Sequence, residues 1–151
     1  MTPQEFQKEL LFGLENLGKV KNEIDAFQRS PADPEMRNSA IAYACIGYFN
    51  ALEHLMVRLL KFLKATLPTG PTSHQMILTQ FQEALVNLSV PFTDFDALKR
   101  LLGFRHVATK IYGFLIDEEK LKEVAATIQV KHVVFIELFN KIIQKITSSP
   151  S

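Results

Sequence analysis

The chain has 151 residues, and its 47% hydrophobic content is enough for the core of one domain, which makes a second independent domain unexpected. Its 17 lysine and arginine residues nearly balance its 16 aspartate and glutamate residues, so overall charge does not draw it to nucleic acid or to an acidic membrane. Any binding of that kind must come from a local cluster of cationic side chains.

The single cysteine, Cys45, lies in an apolar stretch, where we interpret it as a small buried hydrophobic residue. One cysteine excludes an internal disulfide and a cysteine-based zinc site, and it suits a reducing compartment. The N-terminal residues lack the basic segment and apolar core of a signal peptide. Because no uninterrupted run of about 18 apolar residues is present, no membrane-spanning segment is expected. These features predict a soluble cytoplasmic protein.

Hydrophobic periodicity and capping residues predict five helices, and no stretch convincingly indicates a strand. The first helix is expected to run from Pro3 to about Gln28. Thr2 and Glu5 have the spacing of a capping box at its start. The apolar stripe that follows is interrupted only at Gly13.

The second helix is expected to begin behind Asp33 and to end at about Leu67, before Pro68. It carries two adjacent apolar seams, which indicate contact with more than one neighbour, as in the central helix of a bundle or a dimer-forming helix. The first seam consists of Ile41, Cys45, Tyr48, Leu52, Leu55, Leu59 and Phe62, and the second of Ile46, Phe49, Met56, Leu60 and Leu63. Glu53 is the charged member of the second seam. It could help to bind a ligand or orient an arginine, or it could be a boundary carboxylate that is paired or reaches solvent.

The third helix is predicted from about Ser73 to Leu88, with Thr72 and Gln75 as a second capping box. His74 falls in its first turn. There it could contact a substrate phosphate or a partner, or it could be an exposed polar residue at a helix start.

The fourth helix is predicted to begin behind a cap at Thr93 or Asp94 and to reach about Tyr112. Gly113 then allows the helix to end. Between these limits lies the stretch with the most unusual side chains of the chain, which is described below.

The fifth helix is expected to run from a cap at Asp117 to about Thr147, and residues 148–151 are expected to form a disordered tail. His132 lies on its apolar stripe and is interpreted as a hydrogen-bonded core histidine. Together these elements predict an all-α, up-and-down bundle of long helices in one domain, residues 1–147.

Four polar side chains recur within eight residues of the otherwise apolar fourth helix: Arg105, His106, Lys110 and Tyr112. Arg105 and Tyr112, seven residues apart, share a helix face, whereas Arg105 and Lys110 are separated by roughly 140° on a straight helix. Such a group could bind phosphate, with arginine as a bidentate clamp and lysine as a point charge. Histidine could donate or accept a proton near neutral pH, and tyrosine could donate a hydrogen bond. The alternative is an amphipathic helix whose polar face meets water.

Other kinds of site are not indicated. The chain contains no glycine-rich phosphate loop, no HExxH sequence, no paired Glu-x-x-His ligands and no GxSxG turn. Its four histidines fall on separate predicted helices. The sequence therefore predicts no metal site and no cofactor.

The segment GFRHVATKIYGFLID resembles the motif of HepT-like proteins in the HEPN superfamily. In that motif an arginine is followed five positions later by a polar residue, typically histidine, and two positions further on by tyrosine. Those positions are Arg105, Lys110 and Tyr112 in this chain. The resemblance extends to AIAYACIGYFNALEHLMVRLLKFL and LPTGPTSHQMIL upstream, and it spans roughly residues 5 to 145.

This resemblance implies a five-helix HEPN bundle that forms a homodimer, with two copies of the motif around a shared cleft. It also implies a metal-independent ribonuclease toxin that is restrained by an MNT-type nucleotidyltransferase antitoxin. Arg105 would then bind and stabilise the scissile phosphate. Tyr112 would be an active-site donor and the tyrosine that the antitoxin adenylylates.

Lys110 departs from the family pattern, in which the most active members have histidine. A lysine that is protonated near neutral pH can bind phosphate or donate a proton, but it is a poor base for a ribose 2′-hydroxyl. His106 could replace the motif histidine, although it points to a different strip of the helix. The interpretations are therefore a working endoribonuclease, a degenerate HEPN protein that binds nucleotide, RNA or a nucleotidyltransferase without cleaving, and a dimeric helical adaptor.

Overall fold

The computed structural model describes residues 1–110 and 115–148, and this part of the chain is all-α, as predicted. The helices are α1 (Pro3–Gln28), α2 (Pro34–Phe62), α3 (Ser73–Asn87), α4 (Phe95–Ala108) and α5 (Glu118–Ser148). The bounds of α1, α3 and α5 agree with the prediction to within one residue. Ser148, which was expected in the tail, is the last residue of α5, and residues 149–151 lie outside the described part.

The predicted capping box at the start of α1 is confirmed. The Glu5 backbone N–H donates to Thr2 Oγ1 at 3.1 Å, and the Thr2 backbone N–H donates to Glu5 Oε2 at 3.4 Å. At the start of α5, Asp117 Oδ1 accepts the N–H of Glu119 at 3.0 Å, as a capping carboxylate does. These contacts satisfy backbone donors that have no partner within the helix itself.

The prediction that side chains form hydrogen-bonded caps at the starts of α3 and α4 is wrong. Thr72 and Asp94 occupy the capping positions, but neither side chain accepts a backbone N–H, and both backbones lie outside the extended region that capping requires. The Thr72 hydroxyl lies 3.6 Å from the sulfur of Met76 instead. The Asp94 carboxylate pairs with Lys131 Nζ at 3.1 Å, a charge-assisted contact that is stronger than a bond to a neutral amide.

The end of α2 lies at Phe62, not at about Leu67 as predicted. The reason is Lys64, which adopts a left-handed backbone conformation with φ of 60°. Its neighbour Ala65 then donates its N–H to the Leu60 carbonyl at 2.9 Å, which closes the helix in a Schellman turn. Glycine usually occupies this position, so a lysine there does not indicate in the sequence that the helix ends.

The end of α4 lies at Ala108, earlier than the predicted limit near Tyr112. The Thr109 hydroxyl donates to the Arg105 carbonyl at 2.9 Å, and the Lys110 N–H donates to the Val107 carbonyl at 3.1 Å. The backbone thus tightens into a turn in which carbonyls of the last helical turn find partners. The predicted stop at Gly113 lies outside the described residues.

Backbone packing divides the chain into two compact units, each built from segments that are distant in sequence. The first unit comprises Met1–Asn16, Ala51–Thr93 and Val133–Ser151. Aromatic pairs organise its core, with ring centroids of Phe6 and Phe62 at 4.6 Å and those of Phe81 and Phe139 at 5.7 Å. The prediction of one domain over residues 1–147 stays a prediction.

The second unit comprises Leu17–Asn50 and Asp94–His132, and it contains the whole of α4. Its core is made by apolar side chains at three- and four-residue spacing from α1, α2, α4 and α5. The buried residues include Leu17, Ile24, Ile41, Cys45, Tyr48, Leu98, Leu101, Phe104, Leu121, Val124 and Ile128. This packing holds α4 by one face and leaves its polar residues at the edge.

The apolar seams of α2 are buried almost throughout. Six of the seven residues in the first seam, all but Phe62, are buried, as are Phe49, Met56 and Leu60 of the second. Although α2 contains no uninterrupted apolar run, its length and mean hydropathy are those of a helix that could cross a membrane. Half of the residues in its most apolar window are buried within the chain, as expected for a core helix.

Candidate functional site

The Arg105 side chain is held at the edge of the second unit by Asn50. Arg105 lies in the last turn of α4, next to the buried Phe104, and is itself half-buried. Its Nε donates a hydrogen bond to Asn50 Oδ1 on α2 at 2.8 Å. Asn50 was not among the residues selected from the sequence, because its only distinguishing mark there is an amide in a mostly apolar helix.

The partner of Arg105 is neutral, and this determines what the guanidinium can do. Within residues 1–110 and 115–148, no carboxylate forms an ion pair with Arg105. The contact through Nε leaves the four N–H donors of the two Nη groups without partners in the same ranges. A half-buried, oriented and uncompensated guanidinium is suited to bidentate binding of a phosphate.

His106 and Lys110 form a second pair. Lys110 Nζ lies 3.2 Å from His106 Nε2, and both side chains are exposed. An ammonium can only donate, so the hydrogen bond requires a neutral imidazole with its proton on Nδ1. Because α4 ends at Ala108, Lys110 lies in the following turn, and the 140° separation from Arg105 expected on a straight helix does not apply.

Of the predicted residues, the structure pairs His106 with Lys110, whereas Arg105 pairs with Asn50, which was not selected from the sequence. Each pair combines a basic side chain, Arg105 or Lys110, with a second polar group. Tyr112 lies outside the described residues, so its place on the same face as Arg105 stays a prediction.

Glu53 is paired with a histidine in the first unit. Its Oε2 accepts a hydrogen bond from His74 Nδ1 at 2.6 Å, and the Glu53 side chain is only 14% exposed. The contact joins α2 to the first turn of α3, so each of these residues uses the other as its polar partner. A supporting role for Glu53 in ligand binding stays a prediction.

The second unit contains two further titratable side chains, His132 and Cys45. The Tyr48 hydroxyl lies 2.8 Å from His132 Nδ1, which confirms that His132 is hydrogen-bonded, but the residue is half-buried and does not lie in the core as predicted. Burial lowers the pKa of His132 below 6.5, as does the charge of Lys21, while Asp25 acts in the opposite direction. Burial also raises the pKa of the Cys45 thiol to about 12, so this cysteine is not a nucleophile at neutral pH.

A family model described as HepT-like protein matches residues 40–146. The chain belongs to the HepT-like family. The match includes Asn50, Arg105, His106 and Lys110, and it leaves out α1. The five helices found in residues 1–110 and 115–148 are consistent with the HEPN-type bundle that the motif implied. Comparison with curated proteins gave no match, and neither did comparison with solved structures.

Proposed function

We propose that this HepT-like chain is the toxin of a toxin–antitoxin pair, acting as a metal-independent endoribonuclease in the cleft of a homodimer. In this proposal Arg105 binds the scissile phosphate. The observation that carries it is the hydrogen bond from Arg105 to Asn50, which orients the guanidinium without reducing its charge. Membership of the HepT-like family supports a ribonuclease or toxin-like activity in general.

The proposed reaction is attack of a ribose 2′-oxygen on the adjacent phosphorus. The O2′–P bond forms and the P–O5′ bond breaks, which leaves a 2′,3′-cyclic phosphate and a 5′-hydroxyl. Arg105 stabilises the negative charge that grows on the phosphate oxygens in the transition state. The reaction needs one group to accept the 2′-hydroxyl proton and one to give a proton to O5′.

His106 and Lys110 are the proposed proton carriers. In the absence of RNA, the ammonium of Lys110 donates to the imidazole of His106. A bound phosphate offers Lys110 a charged partner, which frees His106 Nε2 to accept the 2′-hydroxyl proton. Lys110 then donates a proton to the leaving oxygen, so that no free lysine is required as a base.

The proposal includes an antitoxin of the MNT nucleotidyltransferase type, which transfers AMP to Tyr112. The added phosphate would compete with RNA for Arg105, seven residues earlier in the chain. Co-expression with a nucleotidyltransferase encoded beside this chain should give a stable complex and a mass increase of one adenylyl group. Peptide mapping should locate that group on Tyr112, and an unmodified, separately migrating chain would contradict this part of the proposal.

A second candidate function is favoured by Lys110, which stands where active family members have histidine and which occupies His106 Nε2. In that case the chain binds nucleotide, RNA or a nucleotidyltransferase partner without cleaving. Replacement of Lys110 by histidine distinguishes the two. A true nuclease using His106 should lose activity in His106→Ala, whereas a degenerate site should gain cleavage only in Lys110→His.

The decisive experiment uses mixed RNA and purified protein in the presence of EDTA. Arg105→Ala should slow cleavage by about 100- to 1,000-fold, the usual effect of removing a group that stabilises transition-state charge. Arg100→Ala is the matched control, because Arg100 is an exposed arginine on the same helix, and its rate should stay at the wild-type level. No cleavage by the wild type, or equal cleavage by wild type and Arg105→Ala, would overturn the nuclease proposal.

A further inference from the structure

A pocket of about 430 Å³ lies within the second unit, where the end of α1 meets the first turns of α2 and α5. Its volume falls within the range of about 300 to 1,000 Å³ that is usual for small-molecule sites. None of its lining residues belongs to the Asn50–Arg105 or His106–Lys110 pairs. It is therefore a separate feature of the molecule.

The floor of this pocket is apolar and buried. Ile41, Leu121 and Ala125 form it, with exposed fractions of 6%, 2% and 0%. Leu121 and Ala125 are one turn apart on α5, and the small alanine leaves room above the core. Such a floor can take the apolar body of a ligand, because removal of apolar surface from water favours binding.

The wall of the pocket carries polar side chains that lack partners. Arg37 and Asn38, on α2, are half-buried, and neither side chain has a hydrogen bond or ion pair within the described ranges 1–110 and 115–148. Partly buried donors without partners are unfavourable unless water or a ligand satisfies them. The guanidinium of Arg37 provides five N–H donors, and the amide of Asn38 provides two more.

The charges around the pocket favour an anion. Arg37 and Lys122 are cationic and Glu118 is the one acidic residue of the lining, so the lining has a net positive charge. Lys122 is directed toward Glu118 and Glu119 at 4.0 Å and 3.8 Å, which leaves Arg37 as the uncompensated cation. Arg37 is also the fourth residue of α2, close to the positive end of the helix dipole.

We infer that this pocket binds a small organic phosphate, with Arg37 and Asn38 on the phosphate and a compact apolar ring on the floor. The ligand class follows from the combination of an uncompensated arginine with an apolar surface: inorganic phosphate would leave the floor empty, and a neutral ring would leave Arg37 unsatisfied. The inference goes beyond the proposed nuclease function and does not depend on it.

The test measures binding of four probes to the full chain by calorimetry: phenyl phosphate, AMP, adenosine and inorganic phosphate. Phenyl phosphate and AMP should bind at least about tenfold more tightly than adenosine or inorganic phosphate, since only they satisfy both the arginine and the floor. Arg37→Ala should weaken the binding of both organic phosphates by at least about tenfold, as loss of a charge-assisted bidentate contact does. Arg29→Ala, at an exposed arginine just after α1, should leave it unchanged.

Thermal unfolding of each variant without ligand confirms that the protein is folded, and Arg37→Lys provides a variant that keeps the charge but loses the planar fork. Its affinity should lie between those of wild type and Arg37→Ala. The inference is overturned if neither organic phosphate binds at millimolar concentration, or if Arg37→Ala binds as well as wild type. It is also overturned if AMP binding is lost in Arg105→Ala and kept in Arg37→Ala, which would assign AMP to the Arg105 site.

Discussion

Asn50 and Arg105 show how one uncharged side chain can prepare a cation for its ligand. A carboxylate in place of the amide would hold the guanidinium equally well but would neutralise the charge that the proposed mechanism uses to bind phosphate. The Asn50 Oδ1 atom accepts the Arg105 Nε–H at 2.8 Å, which fixes the orientation of the guanidinium and leaves its positive charge in place. Asn50 is thus a positioning residue in the proposed mechanism, acting through Arg105.

Replacement of Asn50 by aspartate tests this role, because the two side chains have nearly the same shape. We expect Asn50→Asp to reduce RNA cleavage by at least about tenfold and to raise KM, since the new carboxylate competes with phosphate for Arg105. Asn50→Ala, which removes the contact but adds no charge, should have the smaller effect on KM. Initial rates over a range of RNA concentrations separate KM from kcat, and wild-type kinetics for Asn50→Asp would exclude the positioning role.

A second prediction for a single residue concerns the reactivity of the buried Cys45 thiol. Its thiol is 1% exposed, and burial raises its pKa to about 12. Because thiolate is the reactive form, the folded protein should react with a thiol reagent at neutral pH at least about 100-fold more slowly than the protein in denaturant. The absorbance change of a chromogenic disulfide reagent measures both rates. Comparable rates in the two conditions would show that the α2 seam opens readily.

At the scale of the helices, replacement of two glycines by alanine should change the stability of the protein in opposite directions. A Cβ atom at Gly13 on α1 would lie 2.5 Å from Leu55 Cδ2, whereas a Cβ at Gly103 on α4 meets nothing within 4 Å. Gly13→Ala should therefore destabilise the protein by about 1 to 2 kcal/mol through crowding of a buried leucine. Gly103→Ala should stabilise it by about 0.5 to 1 kcal/mol through helix propensity alone. Denaturant unfolding of both variants measures the free energies, and equal signs would contradict the close approach at Gly13.

The contact between α5 and α2 through His132 and Tyr48 should make the stability of the protein depend on pH. Burial and the charge of Lys21 lower the pKa of His132 in the folded state below 6.5, against the smaller opposing effect of Asp25. The unfolded chain therefore binds a proton more readily than the folded chain once the pH falls below about 6.5. The contribution of His132 to stability is complete above that pH and decreases as the pH falls.

His132→Gln should remove this component of the pH dependence, because glutamine can accept the Tyr48 hydrogen bond but does not titrate. Unfolding free energies of wild type and variant at about pH 7.5 and about pH 5 provide the comparison. The wild type should lose more stability than the variant on going to the lower pH. An equal loss in both proteins would mean that other groups cause the dependence.

The helices could be predicted from the sequence because their apolar residues recur at helical spacing. The interruption of the α1 stripe at Gly13 is explained by the close approach of Leu55. The ends of the helices were harder to predict. α2 ends at a lysine in a left-handed conformation, and α4 ends in a turn closed by the Lys110 N–H and the Val107 carbonyl. Neither end is marked by a residue type that is rare inside helices. Local pattern could select Arg105, but the partner of Arg105 is 55 residues away, and only the folded chain brings Asn50 to it.

At the scale of the whole molecule, the homodimer of the proposed function requires an exposed surface. The predicted seams of α2 are largely buried, so they are not available to a second copy. The remaining face of α2 carries Tyr43, which is 79% exposed, followed at helical spacing by Gly47 and Asn50. A dimer formed through this face would place the two Arg105 sites close to the shared surface.

Light scattering should therefore give twice the mass of one chain, and Tyr43→Arg should give the mass of one chain at micromolar concentration, because a charged group would be buried in the interface. Val130→Arg is the matched control, at an exposed apolar residue on α5, and should leave the mass unchanged. A monomeric wild type would contradict the dimer. A dimer that survives Tyr43→Arg would place the interface elsewhere.

The interleaving of the two units has a consequence for synthesis on the ribosome. The first unit includes residues up to the end of α5, and the second needs residues 94–132 to complete the packing begun by residues 17–50. Neither core can therefore close while the nascent chain ends at α4, even though Arg105 has already been made. In the proposed toxin, the site around Arg105 is therefore complete only when most of α5 has been translated.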